Sequence, residues 1–120
     1  MQRVYLEMDK KYYNMKIIRN KYIPFKGFRA INLFGILFVR GNARINERTI
    51  RHEAIHTAQM KEMLYIFFYL WYVVEWIIRL FMKGNAYRNI SFEREAYANQ
   101  DDLNYLENRK RFDFVKYIKK

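Results

Sequence analysis

"RHEAIHTAQ", residues 51–59, holds both histidines of the chain, His52 and His56, with Glu53 between them. Two side chains four residues apart on a helix lie on one face, one turn apart. Two imidazoles placed in this way can grip a single ion. The chain has no cysteine, so no disulfide staples the fold and a metal site must be built from histidine and carboxylate ligands. Neutral imidazole nitrogen and tetrahedral geometry suit Zn2+, one per chain. Glu53 does not point along the line of the two histidines. Such a glutamate acts as general base: it takes the proton of the attacking water, whose pKa zinc lowers to about 7, and hands it to the leaving amine. The competing interpretation is two surface histidines that share a helix by chance.

The flanking sequence supplies a helix start. In "RGNARINERT", residues 40–49, Asn46 is a candidate N-cap and Glu47 lies in the first turn, where the helix dipole favours it. A helix over about 47–60 follows. Upstream, residues 15–19 and 30–39 read as strands. The second, "AINLFGILFV", is rich in branched and aromatic side chains on both faces, with Gly35 as a candidate bulge. Pro24 marks a turn between them. Downstream, residues 63–82 are helical by length. A turn, "KGNAYRNIS", leads to Ser91 as cap of a last long helix over 92–111. The fold class is α+β: one small domain over 1–120, a short N-terminal β-sheet followed by about three main helices. Residues 1–14 are expected to be a loosely ordered extension, and 110–120 a basic amphipathic tail.

A catalytic zinc site needs three protein ligands and one open position. With no third histidine, the third ligand must be Asp or Glu. "SFEREAYANQ", residues 91–100, offers Glu93 and Glu95. A solvated first helical turn would also carry acidic residues. A non-catalytic, closed site would fill the fourth position with Glu95 or an aspartate such as Asp101.

"HEAIH" followed by "FEREAYAN" resembles the gluzincin zinc metallopeptidases. The closer echoes are the CAAX-prenyl/heat-shock-type, BlaR/MecR-type and ImmA/IrrE-like peptidases. The resemblance covers roughly residues 30 to 100, and its specific part is the two short motifs. It implies a zincin-like domain and a third ligand at the Glu that opens an E-x-x-A-[D/N] pattern. On this chain that pattern is Glu93-Arg94-Glu95-Ala96-Tyr97, so the implied metal set is His52, His56 and Glu93, with Glu53 catalytic and Glu95 as the alternative third ligand. The chain departs from the pattern at Tyr97, where those families carry an acidic or amide residue that orients a ligand. Asn99 would take that place if Glu95 were the ligand. The resemblance also implies a peptide or protein substrate, held in extended form along the strand at 30–39 by backbone pairing. Tyr87, Arg88 and Tyr97 lie near the site in sequence, with nothing to choose among them as transition-state stabilisers.

"MLYIFFYLWYVVEWIIRLFM", residues 63–82, has the length of a membrane span, interrupted by Glu75 and Arg79. Tyr65, Tyr69, Tyr72, Glu75 or Trp76, Arg79 and Lys83 recur at spacings of three and four, so one face is wettable and the rest is greasy. Three arrangements suit it: a central buried helix with the tyrosine stripe toward a cleft or water, a helix in the membrane interface, or a span. The net charge of +11 favours an anionic partner, and the tail "NRKRFDFVKYIKK" would add attraction to lipid headgroups. A frayed, solvated end is the plain alternative for that tail. Nucleic acid is a poorer match, because the basic residues are scattered and no recognition motif appears. The N-terminus lacks a signal peptide's continuous apolar core, which places the expected compartment in the cytoplasm or at the cytoplasmic face of a membrane. The functional expectation is a zinc metallopeptidase. The alternative is a non-catalytic membrane-associated or partner-binding protein on a zincin-like scaffold.

Overall fold

The computed structural model describes residues 2–8, 11–24 and 26–118. Four strands precede the helices: β1 (Gln2–Met8), β2 (Lys11–Asn20), β3 (Ala30–Leu33) and β4 (Ile36–Arg40). They form one sheet in the order β1-β2-β4-β3, with β2 and β4 parallel and the other pairs antiparallel. Then come α1 (Glu47–Glu62), α2 (Ile66–Leu80), α3 (Ser91–Asn99), the short α4 (Tyr105–Asn108) and a 3-10 turn at Asp113–Tyr117. The class is α+β, a small N-terminal sheet followed by three main helices. Residues 1–14, expected as an extension, contribute β1 and the start of β2 where they are described.

The run 30–39 is a hairpin, not one strand. Phe34 and Gly35 both take positive φ, 54° and 87°, which reverses the chain in two residues. Gly35 is therefore a turn residue rather than a bulge. The Asn32 carboxamide oxygen accepts from the Gly35 N–H at 3.0 Å and fastens the turn. The reversal puts β4 in the middle of the sheet and leaves β3 at its edge.

The sheet packs on α1 through Ile17, Leu37 and Val39 against Ile50 and Ala54. Ile17 and Leu37 are partners across the parallel ladder, so they share a face. Burying each such side chain is worth about 1.5–3 kcal/mol. Asn46 caps α1, its Oδ1 accepting from the Thr49 N–H at 2.9 Å. After α1 the chain bends by 111° through Met63–Tyr65 into α2. A second core gathers Met60, Phe68, Ile90, Phe92 and Phe114 between α1, α2, α3 and the 3-10 turn.

Two helix expectations are corrected. Ser91 does not cap α3 with its own side chain. Its N–H and hydroxyl both donate to the Glu75 carboxylate of α2, which supplies the negative charge at that helix start. The long helix over 92–111 is broken after Asn99. Asp102 Oδ1 accepts from the Asn104 N–H at 2.9 Å, the kind of local bond with which Asp competes against helix continuation. The C-terminal tail is pinned rather than frayed at Phe114, which is 1% exposed and lies 4.5 Å from the Phe92 ring. Lys119 and Lys120 lie outside the described residues.

Candidate metal centre

The spacing of His52 and His56 on α1 does what helix geometry requires: both rings face α3, and both are buried. Glu93, also buried, comes from the first turn of α3. Glu93 Oε1 lies 3.1 Å from His52 Nε2 and 3.1 Å from His56 Nε2, and the two Nε2 atoms are 3.1 Å apart. Three ligand atoms thus form a near-equilateral triangle. Ligands on a tetrahedral ion at about 2.0–2.1 Å sit about 3.3 Å from one another, so the triangle needs only a slight expansion to take one.

The other ring nitrogen of each histidine is fixed. His52 Nδ1 is 2.8 Å from Gln100 Oε1, and His56 Nδ1 is 2.8 Å from Gln59 Oε1. An amide oxygen only accepts, so each Nδ1 carries the proton and each Nε2 presents its lone pair to the triangle. Two converging lone pairs at 3.1 Å require a cation or a proton between them. Gln59 is itself anchored, its Nε2 donating to the Phe92 carbonyl at 3.1 Å and to Glu95 Oε1 at 2.9 Å. The second oxygen of Glu93 accepts from the Tyr72 hydroxyl at 2.7 Å.

These contacts set the charges of the metal-free cluster. Burial opposes the His56 imidazolium, but the charge and hydrogen bond of Glu93, helped by Glu53 and Gln59, outweigh it and raise the pKa to about 9. Burial likewise disfavours the Glu93 carboxylate. The His56 charge outweighs that, with the His52 and His56 Nε2 atoms at 3.1 Å and the Tyr72 hydroxyl donating, and holds it well below the usual carboxylate range. Tyr72 is pushed far up, by burial and then by the Glu93 charge, so its hydroxyl stays neutral and donates.

A cleft of about 450 Å³ opens beside the triangle, lined by Glu53, His56 and Glu93, by edge strand β3 and by Tyr69 and Tyr72 of α2. It leaves room beside the triangle for a further ligand. Glu53 is half-buried on the cleft wall. Its backbone carbonyl accepts from the Asn32 carboxamide at 3.1 Å, which ties α1 to β3.

Glu95 is brought elsewhere. It is fully buried, and its carboxylate accepts from Gln59, from the Tyr105 hydroxyl at 2.6 Å and from Arg109. Arg109 also holds Glu62, at 2.6 Å. Asp101 pairs with Arg48 at the surface. Neither acid joins the triangle. Asn99 donates to the Glu95 carbonyl and the Tyr117 hydroxyl, and orients no member of it. The amide expected near Tyr97 is supplied by Gln100, one turn on.

Tyr97 instead packs edge-on against the His52 ring at 4.5 Å, and the Arg88 guanidinium lies 3.9 Å over the Tyr97 ring. Tyr87 lines the cleft. Sequence reasoning missed Gln59, Gln100 and the bond from Tyr72. The tyrosine stripe was the signal for Tyr72. Gln59 had only its place three residues after His56. No family model, curated protein or solved structure matches the chain.

Proposed function

We propose that the chain is a small zinc-dependent metallopeptidase of gluzincin type, with His52, His56 and Glu93 as ligands and Glu53 as general base. The carrying observation is the buried triangle of two Nε2 atoms and one carboxylate oxygen, beside a cleft that Glu53 also lines. The donor set fits zinc: two neutral imidazoles with fixed tautomers, one carboxylate and no thiolate. When bound, zinc supplies Lewis acidity, activating water and polarising the scissile carbonyl.

The remaining work belongs to the chain's own side chains. Gln59 and Gln100 keep both Nδ1 protons in place and both Nε2 atoms aimed at the ion. Tyr72 holds the distal oxygen of Glu93. Glu53 accepts the proton of the attacking water and delivers it to the departing amine. Among the described residues β3 pairs with β4 alone, and Ala30–Leu33 line the cleft, so an extended peptide can pair along the outer edge of β3. The lining around Glu53 is largely apolar, with Ile31, Leu33, Met60 and Phe68, which favours substrates with apolar side chains near the scissile bond.

The test is hydrolysis of a fluorescence-quenched peptide library by zinc-loaded wild type and Glu53→Gln. Wild type should cleave. Glu53→Gln should keep its zinc and lose the rate by roughly 10²–10⁴-fold. Equal rates in the two proteins would remove Glu53 from the reaction.

A further inference from the structure

α2 is built inside out. Its half-buried and buried residues are Phe68, Tyr69, Tyr72, Glu75 and Arg79, a single stripe at spacings of one, three and four. Every exposed residue of α2 is Ile, Leu, Val, Phe or Trp. Both charged side chains of the helix thus turn inward. Glu75 receives the N–H of Ser91 and the Trp71 indole N–H, the latter at 2.8 Å. Arg79 is 6% exposed. A helix facing water carries its charge on the outer face. This one carries it toward the protein and presents a continuous greasy face outward.

The apolar face continues past the helix ends. Leu64 is 69% and Phe81 86% exposed, at opposite ends of α2. A shallow apolar groove of about 680 Å³ runs between α2 and the C-terminal turn, lined by Phe67, Leu70, Val74, Phe112 and Ile118 among others. α2 has 15 residues and so is about 22 Å long, short of the roughly 30 Å hydrocarbon core. Among the described residues no single helix is long and apolar enough to cross a membrane.

We infer that α2 and the C-terminal turn form a docking face for an anionic lipid surface, with α2 lying in the plane of the interface. Three observations favour lipid over a second copy of the chain. The net charge of +11 draws the protein to anionic headgroups and repels a copy. Exposed Lys61, Lys83, Lys110, Arg111 and Lys116 lie on the segments that flank the face, where they can reach headgroups. Both tryptophans of the chain, Trp71 and Trp76, are exposed on α2, and indole suits the boundary between headgroup and acyl chain.

α2 also carries Tyr69 and Tyr72 into the metal cleft on its other side. A protein docked by this face holds the cleft one helix diameter, roughly 10 Å, from the bilayer surface, within reach of extended segments that emerge from it. The docking itself does not rest on the peptidase reading.

The test uses the 120-residue chain with vesicles of phosphatidylcholine containing roughly one-third phosphatidylglycerol. Because both tryptophans sit on the face, their emission reports its contact with lipid directly. Wild type should co-sediment with these vesicles, and its emission should shift to the blue and be quenched by brominated acyl chains. The outward double substitution Val74→Glu, Ile77→Glu should lower partitioning by roughly tenfold or more. Zinc content and far-UV circular dichroism of that variant should match wild type, which separates loss of docking from loss of fold. Replacing phosphatidylglycerol by phosphatidylcholine should weaken binding. Wild type that stays in the supernatant with unshifted emission would overturn the inference. So would a stable dimer by sedimentation velocity that the double substitution dissociates, with emission indifferent to vesicles.

Discussion

The two glutamines behind the histidines make the same 2.8 Å bond to Nδ1 but sit in different surroundings, and alanine substitution should separate them. Gln100 is half-buried, so water can replace its amide oxygen when it is removed. Gln100→Ala should weaken zinc binding about tenfold, or about 1.4 kcal/mol, and change the stability of metal-free protein by less than about 1 kcal/mol. Gln59 is fully buried and serves His56, the Phe92 carbonyl and Glu95 at once. Gln59→Ala leaves the His56 Nδ1 proton without a partner where water does not reach, takes one donor from the buried Glu95 carboxylate, and opens a cavity. Each orphaned group costs about 1–3 kcal/mol, so the total loss should be about 3–5 kcal/mol. At a urea slope of about 2 kcal/mol per molar, the midpoint should fall by about 2 M. Zinc affinity should fall by about 100-fold. Competition titration with a chromophoric chelator and urea unfolding of metal-free protein measure the two effects. A Gln59→Ala protein with wild-type zinc affinity and midpoint would refute the claim that this amide sets the His56 tautomer.

Further outcomes follow from the same geometry. Arg109→Ala should cost about 3–5 kcal/mol in urea unfolding, because it leaves the buried Glu95 and half-buried Glu62 carboxylates without their shared cation. Tyr72→Phe should weaken zinc binding by about tenfold in the chelator competition while leaving the fold intact, since only the bond to Glu93 Oε2 is lost. Metal-free protein should show a pH-dependent stability that denaturant titrations can follow. The His56 pKa is raised from 6.5 to about 9, so its contribution is full below pH 6.5 and is lost as pH rises through 9. The Glu93 pKa is lowered from 4.5, so its contribution is full above pH 4.5 and is lost as pH falls further. The pair therefore holds best between pH 4.5 and 6.5, and bound zinc should abolish the upper slope by displacing the His56 proton.

What was legible in the sequence was what is local. The α1 start at Asn46 follows from a cap and a first-turn acid, and both histidines share a face because helix periodicity leaves no choice. The absence of cysteine and of a third histidine narrowed the candidate third ligand to a carboxylate, and proximity in three dimensions then separated Glu93, at the triangle, from Glu95, tied to Arg109. That separation was not legible, because Arg109 lies 14 residues from Glu95 and its approach depends on the break at 100–104. The hairpin within 30–39 was hidden because Phe34, not a residue that favours positive φ, shares the turn with Gly35. The tyrosine stripe of α2 was visible as a periodicity, but which face met the protein was not. A polar face normally points to water, and here Tyr69 and Tyr72 point to the cleft while Glu75 reaches Ser91.

The central claim is that His52, His56 and Glu93 together hold one zinc, and elemental analysis of purified protein tests it most directly. Wild type should carry about one zinc per chain. His52→Ala, His56→Ala and Glu93→Ala should each carry little or none, while Glu95→Gln, if it folds, should keep its metal. Wild type without zinc after reconstitution, or a Glu93→Ala protein that retains a full equivalent, would contradict the account.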